Sequence, residues 1–318
     1  MTKKVLPTRQ APKIQFGKAG VILLSAFCFL FIAVQASWAA SFTDSSGQSV
    51  TVDSPYERII SLYTAHTENL VSLGLDRELI GISTSDDYPP EVLDKPEFSY
   101  REDPEKFIAA RPDLVLVRPM IERAYPQLLE KLRQVGIDVV SLQPNGVDGV
   151  FDYWRKLGIL TGREQEASEM ISTFKEDLEG LREEIDGIPK EERPRVYFEA
   201  MHDKMKTFAP ESIAAFVLRE AGGINVAKDA DQVRSTNIAY YGKEHILSKA
   251  REIDVYLAQR GHMNPITREK IMEEPGFSAI KAVRQGRVYI VEEAIVSRPT
   301  MRLLEGIKTV RDFIYKNN

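Results

Sequence analysis

Two arginines, Arg118 and Arg260, stand at matching places in the two halves of the chain, and each closes the same pattern. In the first half Glu105 opens Phe107-Ile108-Ala109-Ala110, Arg111-Pro112-Asp113 follows, and Leu114-Val115-Leu116-Val117 leads to Arg118. In the second half Glu244 opens Ile246-Leu247-Ser248-Lys249-Ala250, Arg251-Glu252-Ile253-Asp254 follows, and Val255-Tyr256-Leu257-Ala258 leads to Gln259-Arg260. The spacing predicts a helix, a turn, a buried parallel strand and a cation at the strand's carboxyl end. Open α/β sheets bind ligands outside those ends, so two facing lobes would each present a guanidinium to one cleft. A guanidinium grips carboxylate or catecholate oxygens at two points and keeps its charge when partly desolvated. Such a pair suits holding an anion better than making or breaking a bond. The competing reading pairs each arginine with a local acid such as Glu122.

Further candidates lie elsewhere in the two halves. Arg234 stands in a loop ahead of Tyr240 and Tyr241, and Arg298 precedes Pro299. Tyr63 directly follows the first buried strand, and Tyr100 precedes the first copy of the pattern. Aromatic rings with a polar tip suit the wall of a pocket for a bulky chelate; Tyr63, Tyr100 and Tyr241 are read that way, against a plain core-edge role. His66, His202 and His262 each follow an expected strand, and three converging imidazoles can hold a divalent metal. No pair of them has close ligand spacing, and nearby arginines repel a bare cation, so no metal site is assigned.

The elements that must position these residues alternate. Ser41 to Pro55 reads as a small hairpin around Gly47, and Arg58-Ile59-Ile60-Ser61-Leu62 as the first buried strand. Strands and helices then alternate at short intervals to Leu142, which argues a parallel sheet flanked by helices. A long amphipathic segment, Glu164 to Ile188, carries Ala167, Met170, Ile171, Phe174, Leu178, Leu181 and Ile185 at three- and four-residue spacing. After Pro194 the alternation resumes, and Met301 to Tyr315 forms a closing helix. The expected fold is α/β: two lobes with parallel sheets flanked by helices, joined by one long rigid helix. The expected division is residues 1–39 as leader, 40–148 as first lobe, 149–192 as connecting helices and 193–318 as second lobe.

The chain's 318 residues, at net charge −5, are long enough for two such lobes. Its first 39 residues hold Lys3, Lys4, Arg9, Lys13 and Lys18 with no acid, then an apolar run from Gly20 to Val34 and the small-residue site Ser37-Trp38-Ala39. This describes a secretory signal peptide cleaved near Ala39; the apolar run is short of the roughly 20 residues a spanning helix needs. Losing those five cations takes the charge from −5 to −10, which argues against nucleic acid or an anionic membrane as partner. The single cysteine, Cys28, would leave with the leader, and Phe27 beside it disfavours lipid attachment. The expected mature protein has no thiol, no disulfide and no lipid anchor.

An ordered series of motifs carries a resemblance. It comprises Thr67-Glu68-Asn69-Leu70, Asp87-Tyr88-Pro89-Pro90-Glu91, Arg111-Pro112-Asp113-Leu114-Val115, Leu218-Arg219-Glu220-Ala221-Gly222-Gly223-Ile224-Asn225-Val226, Ala282-Val283-Arg284-Gln285-Gly286-Arg287-Val288-Tyr289 and Arg298-Pro299-Thr300-Met301-Arg302-Leu303-Leu304-Glu305-Gly306. From about residue 57 onward the chain resembles the periplasmic binding proteins for ferric siderophores, cobalamin and haem, the helical-backbone class that feeds ABC importers. The resemblance implies a monomeric periplasmic receptor with no catalytic activity and no intrinsic cofactor. It further implies one docking glutamate per lobe for the permease dimer; by position these are Glu105 and Glu244, which equally fit plain first-turn acids favoured by a helix dipole.

Several arginines favour an anionic ferric siderophore as ligand, with haem or a corrinoid as the alternatives. A competing class is a secreted metal-dependent hydrolase. It would need a nucleophile–base pair or a closed set of metal ligands, and the sequence offers neither a strained serine elbow nor tightly spaced histidines.

Overall fold

Leu114, Val115, Leu116 and Val117 are buried at every position, as a parallel strand covered on both faces must be. The computed structural model describes residues 40–316 except Asn145 and Ser235, together with Thr2. The expected leader and Cys28 lie outside the described residues. In chain order, an antiparallel ribbon of β1 (Ala40–Thr43) and β2 (Ser49–Val52) precedes β3 (Ile59–Ser61), α1 (Thr64–Ser72), β4 (Leu79–Ser83) and β5 (Glu97–Phe98). Then come α2 (Pro104–Ala110), β6 (Leu114–Val117), α3 (Pro119–Ala124), α4 (Pro126–Gln134) and β7 (Asp138–Ser141). Strands β3 to β7 form one sheet in the order β5-β4-β3-β6-β7, parallel throughout.

Helices α5 (Asp148–Thr161) and α6 (Glu164–Asp186) lead to the second half. At 23 residues α6 is roughly 34 Å long, given a rise of about 1.5 Å per residue. Its buried residues are Ala167, Met170, Ile171, Phe174, Leu178, Leu181 and Ile185, the stripe that its sequence spacing predicts. Gly158 lets α5 and α6 approach closely; a Cβ there would lie 2.9 Å from that of Ala167.

The second half contains β8 (Arg195–Met201), β9 (Lys206–Phe208), α7 (Ile213–Glu220), β10 (Ile224–Asn225), β11 (Asp231–Gln232), β12 (Ile238–Tyr240) and α8 (Lys243–Ser248). It ends with β13 (Val255–Arg260), α9 (Arg268–Met272), α10 (Lys281–Arg284), β14 (Val288–Glu292), α11 (Glu293–Val296) and α12 (Leu303–Tyr315). The sheet order is β11-β12-β9-β8-β13-β14, with β10 beside the start of β8. Strands β8, β10, β13 and β14 run parallel, whereas β9, β11 and β12 are antiparallel. This sheet is therefore mixed where a parallel one was expected. The short link His202–Met205 cannot make the crossover that a parallel neighbour requires, so β9 folds straight back on β8.

One apolar core runs from the first sheet through α5 and α6 into the second, including Leu116, Trp154, Phe174, Leu218 and Val196. Trp154 is fully buried and meets Phe174 edge-on at 5.4 Å. Burying a side chain such as Phe174 stabilises the fold by about 1.5–3 kcal/mol. Among the described residues, no helix is long and apolar enough to cross a membrane.

Candidate functional site

The carboxyl ends of β3, β4, β5 and β6 face the loops after β13 and β14 around a cavity of about 390 Å³. The first sheet contributes Tyr63, Ser83, Thr84, Ser85, Ser99, Tyr100, Arg101 and Arg118; the second half contributes His262, Met263, Glu293 and Arg298. An adjoining cavity of about 400 Å³ shares His262, Glu293 and Arg298 and adds Asp87, Arg260 and Glu292. The arginines expected at the two strand ends thus line neighbouring cavities. Their surroundings differ.

Arg118 has no acid partner among the described residues. Glu122, the local alternative, is taken by Arg133 at 2.6 Å. The Arg118 guanidinium instead lies over the Tyr63 ring, 4.9 Å from its centroid, which leaves its charge facing the cavity. Burial pushes the Tyr63 phenol up to about 12, against the pull of Arg118, so it stays protonated. His66 meets Tyr63 edge-on at 5.1 Å. Expected at the cleft, His66 is fully buried. Its Nε2 donates to the Val117 carbonyl at 3.0 Å, and its Nδ1 accepts from the Tyr153 hydroxyl at 2.7 Å. Tyr153 in turn accepts from Asn69 Nδ2 at 3.2 Å. Burial, with Arg118 nearby, lowers the imidazole to about 4, so one neutral tautomer satisfies every bond. With both nitrogens committed, His66 has no lone pair for a metal.

Arg298 is only 8% exposed. Nη1 and Nη2 reach Asp87 Oδ1 and Oδ2 at 2.7 and 3.2 Å, and Nη1 reaches Glu68 Oε1 at 3.1 Å. An arginine read as a ligand contact is thus committed to two carboxylates of the first half. Asp86, next to that pair, is pushed up to about 7 by burial, against hydrogen bonds from Thr67 and Ser83. Thr67 Oγ1 lies 2.8 Å from Ser61 Oγ and 2.9 Å from Asp86 Oδ2, and Ser61 Oγ lies 3.0 Å from the Tyr63 carbonyl. Each hydroxyl carries one proton. Thr67 can give its one proton to Asp86 Oδ2 or to Ser61 Oγ, and Oδ2 also accepts from Ser83 N–H at 2.7 Å.

Arg260 is half exposed and donates to Glu292 through Nε at 3.0 Å and through Nη2. Strand register sets this pairing, because Arg260 and Glu292 lie opposite each other on β13 and β14. Arg234 is a correction: it is exposed in the β11–β12 turn at φ 52 and lines neither cavity. Tyr241 is another. It is 7% exposed and stacks on Tyr197 at 5.8 Å inside the second half, because it follows an antiparallel strand and not a parallel strand's carboxyl end. Tyr100 reaches the cavity and packs on Tyr125 at 4.8 Å.

His202 is buried between Glu199, 2.8 Å from Nδ1, and Glu274, 3.4 Å from Nε2. Burial pulls its pKa down, yet the two carboxylates outweigh this and the net shift is upward. His262 alone of the three candidate histidines lines the cavity, and no cluster of three metal-ligating side chains exists among the described residues. Glu105 and Glu244 stand exposed in the first turns of α2 and α8, without ion-pair partners among the described residues. Sequence reasoning missed Arg101, Met263, Glu293 and the hydroxyls Ser83, Thr84, Ser85 and Ser99. All close or follow a strand, and their shared position was the available signal.

This geometry places cations, hydroxyls and aromatic rings around a shared opening, an arrangement that can hold an anion. Comparison with known proteins agrees. The periplasmic binding protein family matches residues 59–294. The chain is 27% identical over 275 residues to an uncharacterised ABC transporter substrate-binding lipoprotein of Bacillus subtilis, covering 86% of this chain and 84% of that protein. It is 25% identical over 266 residues to a vitamin B12-binding protein of Vibrio cholerae, covering 82% and 90%. A solved structure from Staphylococcus epidermidis, described as a possible iron-binding (periplasmic solute-binding) protein, superposes with a TM-score of 0.72 at 29% identity, covering 83% of this chain and 100% of that one. With the family matched across most of its length, the chain belongs to the periplasmic binding proteins, the substrate-binding partners of ABC importers.

Proposed function

We propose that this chain captures an anionic metal chelate, foremost a ferric siderophore, between its two halves and delivers it to an ABC importer. The observation that carries the reading is Arg118: a guanidinium at a cavity, braced by Tyr63, with no acid partner among the described residues. Arg118 is half-buried, and a cation partly withdrawn from water favours a counter-charge; a bound anion supplies one, since Glu293 across the lining makes no ion pair with it among the described residues. Tyr63, Tyr100 and Arg101 would wall the chelate on one side, with Arg260 at the rim. Arg298 serves mainly as a structural tie. Glu105 and Glu244 would dock to the permease dimer, one from each half, with the receptor a monomer in the periplasm after loss of its leader.

A corrinoid is the second reading, favoured by the similarity to vitamin B12-binding proteins; haem is the third, through its two propionates. Absorbance and native mass spectrometry of protein purified from an iron-replete, corrinoid-supplemented culture would separate them. A ferric charge-transfer band supports the siderophore, whereas a corrin spectrum or a Soret band replaces it. Sustained turnover of ester or phosphate substrates would overturn the receptor reading altogether.

A further inference from the structure

The link after β13 closes on itself. Gly261 N–H donates to the Asn264 carbonyl at 3.2 Å, and Asn264 N–H donates to the Gly261 carbonyl at 3.0 Å. The tip of this turn, His262 and Met263, is exposed and lines the cavity. The His262 ring has no hydrogen-bond partner among the described residues, and Met263 is 53% exposed. At the base, Asn264 is 4% exposed and lines neither cavity.

The Asn264 carboxamide is fully engaged below the turn. Nδ2 donates to the Gln259 carbonyl at 2.7 Å and lies 3.5 Å from Glu199 Oε1, while Oδ1 accepts from His202 N–H at 2.9 Å. One side chain therefore ties the end of β13 to the link after β8. Beneath it the fully buried Glu199 holds His202 Nδ1 at 2.8 Å and the Tyr256 hydroxyl. To one side, Gly261 makes room for a cavity residue: a Cβ there would lie 2.8 Å from the Cβ of Glu293. Buried polar groups cost several kcal/mol unless paired, so a paired set beneath a four-residue turn with an exposed tip fixes a position that apolar packing alone would leave loose.

We propose that Asn264 is the positioning residue of a ligand-recognition turn, setting where His262 and Met263 meet the chelate without touching it. The proposal rests on reading the cavity as the ligand site. Within the cavity that Arg118 also lines, the turn offers an imidazole that donates or accepts and a polarizable thioether. Those groups suit the apolar and amide framework of a chelate, and so discriminate among chelates of like charge.

The test is a double-mutant cycle on the full chain, read by fluorescence titration with a ferric hydroxamate, haemin and aquocobalamin. Asn264→Ala should weaken the probe that binds wild type by about tenfold. In a His262→Ala, Met263→Ala background the same change should cost less than about twofold, since the groups it positions are gone. Equal losses in both backgrounds, or no loss in wild type, would overturn the proposal. Should Asn264→Ala fail to fold, Asn264→Ser enters the same cycle. If wild type binds no probe, the proposed function fails, and amide hydrogen exchange then decides the turn by itself. Faster exchange at Gly261 and Asn264 with the rest of the second half unchanged supports the positioning role, and unchanged exchange at the turn sinks it.

Discussion

Arg298 and Asp87, 211 positions apart in sequence, form a two-point ion pair at 2.7 and 3.2 Å beside the cavity. The same guanidinium reaches Glu68 at 3.1 Å. Of the two acids, Asp87 is 59% exposed at its side chain and Glu68 only 3%, so the Glu68 contact governs stability. Exposed pairs contribute about 0–1 kcal/mol, whereas stranding one partner of a buried pair costs about 3–5 kcal/mol. Arg302 Nη1 also lies 3.8 Å from Glu68 Oε1, so Arg298→Ala weakens the pairing of that carboxylate and does not strand it. The substitution should destabilise the protein by up to about 3 kcal/mol in urea unfolding, and Glu68→Gln in the same molecule should recover part of that loss. Asp87→Ala should cost about 1 kcal/mol or less.

Arg118 and Arg260 should separate in binding. Arg118 lacks an acid partner among the described residues, whereas Arg260 is paired with Glu292 on the neighbouring strand. Arg118→Ala should weaken an anionic chelate by about tenfold or more, the value of a charge-assisted hydrogen bond. Arg260→Ala should weaken it by about threefold or less, given the small worth of exposed pairs. Titration at two salt concentrations should show the Arg118 effect shrinking as salt rises.

Asp86 links stability to pH. Its folded pKa is raised to about 7 from 3.8, so the folded state binds this proton more tightly than the unfolded chain. Its contribution is present at low pH and is lost as pH rises through about 7. Asp86→Asn should flatten the slope of unfolding free energy between about pH 4 and pH 7. A slope unchanged by the substitution would place the proton elsewhere.

Glu105→Arg and Glu244→Arg should leave ligand affinity within about twofold, because surface charges far from a site add little to it. Uptake through the reconstituted importer should fall to background in each. Loss of affinity in either variant would mean that these acids serve the fold and not the docking.

Much of the architecture was legible because periodicity reports burial. The seven apolar residues along α6 and the unbroken run Leu114 to Val117 each announced which face would be hidden. The antiparallel strands β9, β11 and β12 were not legible, since their direction depends on link length more than on residue type. In the cavity, strand ends pointed to Arg118 and Tyr63, while Tyr100 was singled out only as preceding the first copy of the pattern. The partners of Arg298 and Arg260 come from distant segments, so no local pattern distinguished a committed guanidinium from a waiting one. Tyr241 failed for the same reason: it reads like Tyr63 in sequence, yet packs against Tyr197.

Trp154 has a practical consequence. It is one of two tryptophans in the chain, the other being Trp38 in the expected leader. Its Nε1 donates to the Pro299 carbonyl at 3.1 Å, next in sequence to Arg298. Were the expected leader removed with Trp38, ultraviolet emission would come from a single indole clamped where the two halves join. Its colour would report whether that joint admits water, and so whether cargo is handed over by spreading the halves or by letting go with the frame intact.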